Sequence, residues 1–175
     1  MKIERIKTIS STNQIAKELA QKGAEPWTIV VAEKQTAGYG KERISWFSPK
    51  GGLYFSVILP KSQIDDLQTL TVLAAFIVAK TIKDNFSLEP LIKLPNDVLI
   101  NQKKVAGILT ENIIGKEVKV SVMGIGINTN IDEFPQGLEK IATSLKIETG
   151  EEVDNNKILE QILKGLKEQL KTISQ

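Results

Sequence analysis

A single proline between two short apolar runs constrains the fold of this chain more than any other residue. The segment Lys93-Leu94-Pro95-Asn96-Asp97 lies between Leu91-Ile92 and Val98-Leu99-Ile100. Proline lacks an amide N–H and disfavours the helical conformation of the residue before it, so this stretch cannot be helical. We expect two short strands joined by an extended turn, with the polar side chains at 93, 96 and 97 projecting from a defined place.

Composition limits both the architecture and the chemistry. With 175 residues, one compact domain is expected. The chain has no cysteine and no histidine, which excludes disulfides, thiol nucleophiles and the commonest general base. A net charge of +2 does not argue for nucleic acid. No apolar run is long enough for a membrane span and no signal peptide is evident, so we expect a cytoplasmic protein without membrane contact.

Hydrophobic periodicity predicts the order β-α-β-β-α-β-β-β-β-α, and hence an α+β fold in which helices cover a mixed sheet. The predicted helices are Ile15 to Gly23, Leu67 to Phe86, a short one at Ile141 to Leu145, and a last one capped by Asp154. The predicted strands are Ile3–Ile9, Thr28–Ala32, Leu53–Leu59, Leu91–Lys93, Val98–Ile100, Val105–Ile113 and Glu117–Ile127. Turns are expected at residues 101–103 and at Gly115-Lys116.

The loop Gly38-Tyr39-Gly40-Lys41 offers a flexible backbone next to a cation. Its amide groups could converge on an anion, or it could be an ordinary surface loop. It is not a Walker loop, because no Gly-Lys-Ser/Thr sequence follows. It is not a dinucleotide fingerprint either, because the third glycine is missing.

Polar residues in and after the proline segment can also be interpreted either as functional groups or as ordinary structural ones. Lys93 could offset phosphate charge and Asp97 could bind Mg²⁺, or Asn96 and Asp97 could simply form a turn. Lys104 could bind an oxyanion at the mouth of a strand containing Gly107, or it could be one more hairpin lysine.

Trp46 and a second pair of strand glycines complete the unusual features. The segment Gly124-Ile125-Gly126-Ile127-Asn128 places glycines in a strand and then an amide, which could equally reflect a bulge. Trp46, in a polar loop, could cap the core or stack on a ligand ring.

Taken in order, these segments resemble the catalytic domain of biotin protein ligases over nearly the whole chain. Each landmark is weak alone, but the ordered set is highly specific. The landmarks are Ser11-Thr12-Asn13, Gln35-Thr36-Ala37-Gly38-Tyr39-Gly40, Trp46, Lys93-Leu94-Pro95-Asn96-Asp97, Lys104-Val105-Ala106-Gly107-Ile108-Leu109 and Gly124-Ile125-Gly126-Ile127-Asn128.

The resemblance implies the biotin/lipoate ligase catalytic-domain fold and a two-step reaction. Biotin and ATP form biotinyl-5′-adenylate with release of pyrophosphate, and a lysine of a biotin carboxyl carrier protein then displaces AMP. Adenylation by a carboxylate needs positioning and charge compensation but no histidine base. The residue that takes the proton of the carrier lysine is not identified by the sequence.

The resemblance also assigns roles by position. Lys104 and Lys41 are expected to be catalytic, and Asp97 to bind Mg²⁺. The expected ATP-binding residues are Arg43, Trp46, Lys93, Asn96 and Asn128. The expected biotin-binding residues are Ser11, Thr12, Asn13, Gln35, Gly38, Tyr39, Gly40, Lys41, Lys104 and Gly107.

The chain departs from the family pattern in its glycine loop and at its ends. The loop usually reads Gly-Arg-Gly-Arg, and here Tyr39 and Lys41 replace the arginines. Lysine cannot form the bidentate phosphate contact of arginine, and Arg43 is a substitute candidate. Residues 1–175 match the catalytic domain alone, without the helix-turn-helix or the C-terminal β-barrel of many relatives, so we expect no DNA binding.

Two alternatives stay open at this stage. A lipoate ligase uses the same adenylate chemistry, although the Ser11-Thr12-Asn13 set favours the ureido ring of biotin. A non-catalytic biotin-binding module would bind ligand without forming AMP. A homodimer is a modest expectation, because the strand at Val118 to Ile127 could be a sheet edge available for pairing.

Overall fold

The computed structural model describes residues 1–60, 66–114 and 119–173. The described helices are α1 (Thr12–Gln21), α2 (Leu67–Phe86), α3 (Leu145–Thr149) and α4 (Asn155–Ile173). The described strands are β1 (Lys2–Ile9), β2 (Thr28–Gln35), β3 (Leu53–Ile58), β4 (Leu91–Lys93), β5 (Asp97–Ile100), β6 (Lys103–Ile114) and β7 (Lys119–Ile127). No helix among these residues has the length and apolar composition needed to cross a membrane.

The described strands form one mixed sheet in the order β1-β2-β3-β7-β6-β5-β4. Strands β1 and β2 are parallel, joined by α1, and the other neighbours are antiparallel. The predicted α+β class with helices on a mixed sheet is therefore confirmed. The predicted turn after Ile100 is also confirmed, since Asn101 and Gln102 have positive φ as in a tight hairpin.

One face of the sheet carries the main hydrophobic core. Alternate residues of the central strands point to this face and pack against α2 and α4. On β7 these are Met123, Ile125 and Ile127, all at most 2% exposed. The face is almost entirely aliphatic, so it supplies stability and a rigid platform.

The opposite face is covered differently along its length. Near α1 it carries a small second core built from Ala16, Val30, Ile58 and Val122. Farther along β7 and β6 the residues pointing to this face are Gly124, Gly126 and Gly107, which present no side chain. Other side chains can therefore approach the sheet backbone closely at this point, and a concave space forms beside them.

Two predictions from sequence periodicity were wrong. The strand predicted at Glu117–Ile127 is not an edge, because β7 lies between β3 and β6 in the middle of the sheet. The edge strands are β1 and β4, so pairing of two copies through β7 is excluded in this fold. The short helix predicted at Ile141–Leu145 lies later, at Leu145–Thr149, because the Ser144 hydroxyl accepts from the Ile147 amide and caps it.

One predicted feature cannot be compared with the fold. The turn at Gly115-Lys116 and the beginning of the strand predicted from Glu117 lie outside the described residues.

Candidate active site

A pocket of about 380 Å³ opens above the glycines of β6 and β7, a volume in the range of small-molecule sites. Its floor exists because side chains are missing there. A Cβ at Gly124 would overlap the Asn13 amide, and a Cβ at Gly126 would lie 2.6 Å from Trp46 Nε1. The glycines therefore let α1 and the loop of Trp46 approach the sheet backbone closely.

Trp46 forms one wall of this pocket and lies directly over the glycine floor. Its ring approaches Gly107 as well as Gly126, and the Lys104 ammonium lies 5.0 Å from the ring centroid. The indole N–H is buried and has no hydrogen-bond partner among the described residues. Of the two readings that the sequence allowed, the structure places Trp46 in the pocket and not in either hydrophobic core.

The glycine loop folds into a small hairpin at the pocket rim. The Trp46 amide donates to the Gly38 carbonyl at 2.9 Å, and the Gly40 amide donates to the Ile44 carbonyl at 2.8 Å. Its bend needs left-handed conformations at Glu42 and Arg43, with φ of 56° and 61°. The Gly40 amide is thus used within the hairpin and does not point freely at an anion in this conformation.

A polar network from α1, β2 and β3 closes the far end of the pocket. The Ser56 hydroxyl donates to Asn13 Oδ1 at 2.5 Å, and its oxygen lies 2.8 Å from Thr12 Oγ1. Gln35 Oε1 accepts from the Thr12 amide at 2.8 Å, which fixes the first turn of α1. Ser11 is buried but makes no side-chain capping bond to α1.

Lys104 is held at the pocket mouth from two directions. Its ammonium lies 2.7 Å from Asp97 Oδ1, and only 30% of its side chain is exposed. Its backbone bonds to Ile141 and Thr143, which fastens the start of β6 to the segment before α3. The predicted catalytic lysine is therefore an oriented cation beside a carboxylate and not a mobile hairpin lysine.

Some of the predicted site residues line the pocket and others do not. Most of the predicted set lines the pocket. The lining members are Ser11, Thr12, Asn13, Gln35, Tyr39, Gly40, Lys41, Trp46, Asn96, Asp97, Lys104, Gly107 and Asn128. Gly38, Arg43 and Lys93 are not among the lining residues.

Each of those three has a visible alternative environment. A Cβ at Gly38 would meet Ser48 Oγ at 2.7 Å, so that glycine permits close packing of the hairpin base. The Arg43 guanidinium lies 4.4 Å from the centroid of the Tyr39 ring. Lys93 lies opposite Asp97 in the antiparallel register of strands β4 and β5.

Asn128 and Lys41, both predicted to act on the nucleotide side, differ in burial. Asn128 is buried and donates through its amide to the Thr143 carbonyl at 3.0 Å, so it joins the end of β7 to the segment before α3. The side chain of Lys41 is 65% exposed, with Glu42 Oε1 at 4.0 Å, so this cation can reorient toward a ligand at little cost.

Glu111 is a pocket-side group that the sequence did not single out. It accepts from Lys17 at 2.5 Å, from the Asn13 amide at 2.8 Å and from the Tyr39 hydroxyl at 3.0 Å. Burial raises the pKa of Glu111, but these three donors outweigh it and leave its pKa below the ordinary value. Burial likewise lowers the pKa of Lys17, and its bonds to Glu111 and Tyr39 leave it raised. The only signal in the sequence was a charge within an otherwise apolar strand.

Magnesium binding at Asp97 stays a prediction. Asp97 is paired with Lys104, and no group of three or more acidic or metal-ligating side chains occurs within the described ranges. Mg²⁺ prefers carboxylates combined with phosphate oxygens. A magnesium site at Asp97 would therefore be completed only when the phosphates of MgATP bind beside it.

Comparison with known proteins matches the site to a family. The model of the biotin/lipoate A/B protein ligase family matches residues 5–128, which include the pocket floor, the hairpin and Lys104. The bifunctional ligase/repressor BirA of Bacillus spizizenii is 44% identical over 160 residues, covering 89% of this chain and 49% of that protein. The chain thus spans about half the length of that curated relative.

Two further relatives agree with this match. A biotin–[acetyl-CoA-carboxylase] ligase of Paracoccus denitrificans is 34% identical, covering 86% of this chain and 65% of that protein. The solved biotin protein ligase of Aquifex aeolicus, in complex with biotin and ATP, aligns with a TM-score of 0.89 and 32% identity. That alignment covers 99% of this chain and 72% of the other.

Proposed function

The chain belongs to the biotin/lipoate A/B protein ligase family, and from this membership we propose that it attaches biotin to a lysine of a carrier protein in an ATP-dependent reaction. In the first step a biotin carboxylate oxygen bonds to the α-phosphorus of ATP, and the bond to pyrophosphate breaks. In the second, the carrier amine bonds to the activated carbonyl carbon, loses a proton, and AMP leaves.

The observation that carries this proposal is the position of Lys104. An oriented ammonium at the mouth of a glycine-floored pocket can compensate the charge that develops when a carboxylate attacks a phosphate. Asp97, 2.7 Å away, keeps this ammonium in place before the anions arrive. Both reactants are anionic, so one fixed cation between them lowers the repulsion of their approach.

The far end of the pocket supports biotin as the acid. Its ureido ring has two N–H donors and one carbonyl acceptor, and Ser11, Thr12, Asn13 and Gln35 supply matching hydroxyl and amide groups. The glycine floor lets Trp46 and Asn13 pack close to the sheet, which leaves the pocket above them open for a bicyclic ring. The Trp46 N–H, which has no partner within the described part of the chain, is a donor for a ligand oxygen.

Lys41 and magnesium complete the proposed nucleotide side. Lys41 is exposed at the rim, where it can turn toward the phosphates delivered as MgATP. Asn96 and Asn128 also line the pocket and are proposed to contact the nucleotide. Asp97, whose Oδ1 pairs with Lys104, is proposed to meet the magnesium ion of MgATP when the nucleotide is bound.

One experiment tests the whole proposal. The protein is incubated with biotin, MgATP and a biotin carboxyl carrier domain, and intact mass spectrometry follows the carrier. The expected result is the gain of one biotinyl group, lost when the acceptor lysine of the carrier is replaced by arginine. Replacing biotin by lipoate should abolish pyrophosphate release. Biotin binding without AMP formation would instead identify a non-catalytic module.

A further inference from the structure

Position 39 holds an aromatic residue whose hydroxyl is tied to the sheet. The Tyr39 hydroxyl donates to Glu111 Oε2 at 3.0 Å and accepts from the Lys17 ammonium at 3.2 Å. Lys17 also contacts Glu111 Oε1, so the three side chains close a triangle. Glu111 is in β6, Lys17 in α1 and Tyr39 in the hairpin, so this triangle joins three separate elements.

The hairpin of residues 38–46 depends on such anchors. An isolated two-stranded hairpin is marginally stable in water, and this one bends through two non-glycine residues with positive φ. It is attached to β6 at two places, by Trp46 over Gly107 and by Tyr39 at Glu111. These attachment points are four residues apart on one face of the strand, which spaces the anchors along the pocket.

The Tyr39 ring also organises the outer side of the hairpin. The Arg43 guanidinium lies 4.4 Å and the Lys17 ammonium 5.7 Å from the ring centroid. Cations over an aromatic ring are attracted by its negative face. The ring therefore links the bend of the hairpin to the same triangle that holds its first strand.

We infer that Tyr39 is a positioning residue that clamps the hairpin onto Glu111 and so keeps Trp46 and Lys41 at the pocket. This inference rests on the proposed function for its catalytic consequence, but the clamp itself is a property of the unliganded protein. The Tyr39 hydroxyl is thus occupied by two protein side chains, while the residue still lines the pocket. The cations that reach the nucleotide must then come from neighbouring positions in the hairpin.

The clamp is tested first without any substrate. Tyr39→Phe keeps the ring and its contact with Arg43 but removes the hydroxyl. Trp46 emission is followed in a Trp27→Phe background, together with amide hydrogen exchange of residues 38–46. We expect a red-shifted emission and about tenfold faster exchange of the hairpin, the scale of one hydrogen bond to a charged group. Exchange in α2 should not change.

The pair Lys17–Glu111 is tested with a matched control. Lys17→Met and Glu111→Leu should each release the hairpin, and adding Tyr39→Phe to Glu111→Leu should cause little further change because the acceptor of the hydroxyl is already lost. Lys80→Met removes an ion pair of the same 2.5 Å length on the exposed surface of α2, and should leave the hairpin unaffected.

Activity then shows the catalytic consequence. In Tyr39→Phe the KM for biotin should rise about tenfold with a smaller change in kcat, since binding must re-order the hairpin. Unchanged emission and exchange in this variant would overturn the clamp. Equal loss of protection in α2 would overturn it too, because that result indicates general destabilisation. A wild-type protein inactive with biotin, but with a hairpin that responds as expected, would reject the proposed function and retain the clamp.

Discussion

Strand β7 carries large apolar side chains on one face and glycines on the other. Toward α2 and α4 the strand presents Met123, Ile125 and Ile127, which are buried in the main core. Toward the pocket it presents Gly124 and Gly126, which expose the backbone to Asn13 and Trp46. Alternate residues of this strand thus serve stability and binding. A substitution at one residue should alter the stability of the fold, and a substitution at the next residue should alter ligand binding.

The largest effect is expected on the packed face. Ile125→Ala removes buried methyl groups from the centre of the sheet, and should lower the free energy of unfolding by roughly 2–5 kcal/mol. Urea denaturation measures this loss. The fraction that stays folded should bind biotin with nearly normal affinity, because the Ile125 side chain packs in the main core, although the residue also borders the pocket. A variant as stable as wild type would contradict the division between the faces.

On the pocket face the largest effect belongs to Lys104. Lys104→Ala should slow pyrophosphate release by at least about 100-fold, since it removes the fixed cation that stabilises the transition state. Stability to urea should fall by only about 1 kcal/mol, from the loss of the ion pair with Asp97. Lys103→Ala is the matched control, because the adjacent ammonium donates to the Glu139 carbonyl and is not among the residues that line the pocket. Near-normal pyrophosphate release by Lys104→Ala would show that Lys104 does not stabilise the transition state of adenylation.

A smaller effect is expected from filling the floor. Gly126→Ala would place a methyl carbon 2.6 Å from Trp46 Nε1, so the indole must shift. We expect biotin affinity to fall about tenfold, as overpacking typically costs about 1–3 kcal/mol. Isothermal titration measures the affinity. Ser121→Ala, on the same strand but away from the pocket lining, should bind biotin normally. Unchanged affinity in Gly126→Ala would show that the position of Trp46 over the floor does not control biotin binding.

Local chemistry made much of the fold predictable. Apolar periodicity located α2 at the residues where it is observed, and the turn residues after Ile100 correctly predicted the β5–β6 hairpin. The same patterns could not rank the strands across the sheet. Alternation tells which face a residue occupies but not which strand lies beside it, and so β7 was wrongly expected at an edge.

The sequence motifs predicted which residues form the site, but not which of its side chains contact one another. Most motif residues line the pocket, because they share a few strand ends and loops. Sequence could not choose between the two readings of Trp46, since the glycines beneath it are distant along the chain. It also missed Glu111, whose partners Lys17 and Tyr39 are 94 and 72 residues away.

The smallest expected effect compares the buried and exposed ion pairs as pH falls. Because the pKa of Glu111 is lowered from 4.5 in the folded state, its ionised form stabilises the fold above that value, and the contribution is lost as pH falls through the folded pKa. Glu111→Gln should therefore cost roughly 1 kcal/mol at pH 7 and progressively less toward pH 3. Urea denaturation across this range provides the measurement. Asp84→Asn disrupts only an exposed pair, whose side chains are 61% and 53% exposed, and should run parallel to wild type. If the Glu111→Gln and wild-type curves also ran parallel, the carboxylate would be a solvated surface group and not the fixed point of the pocket face.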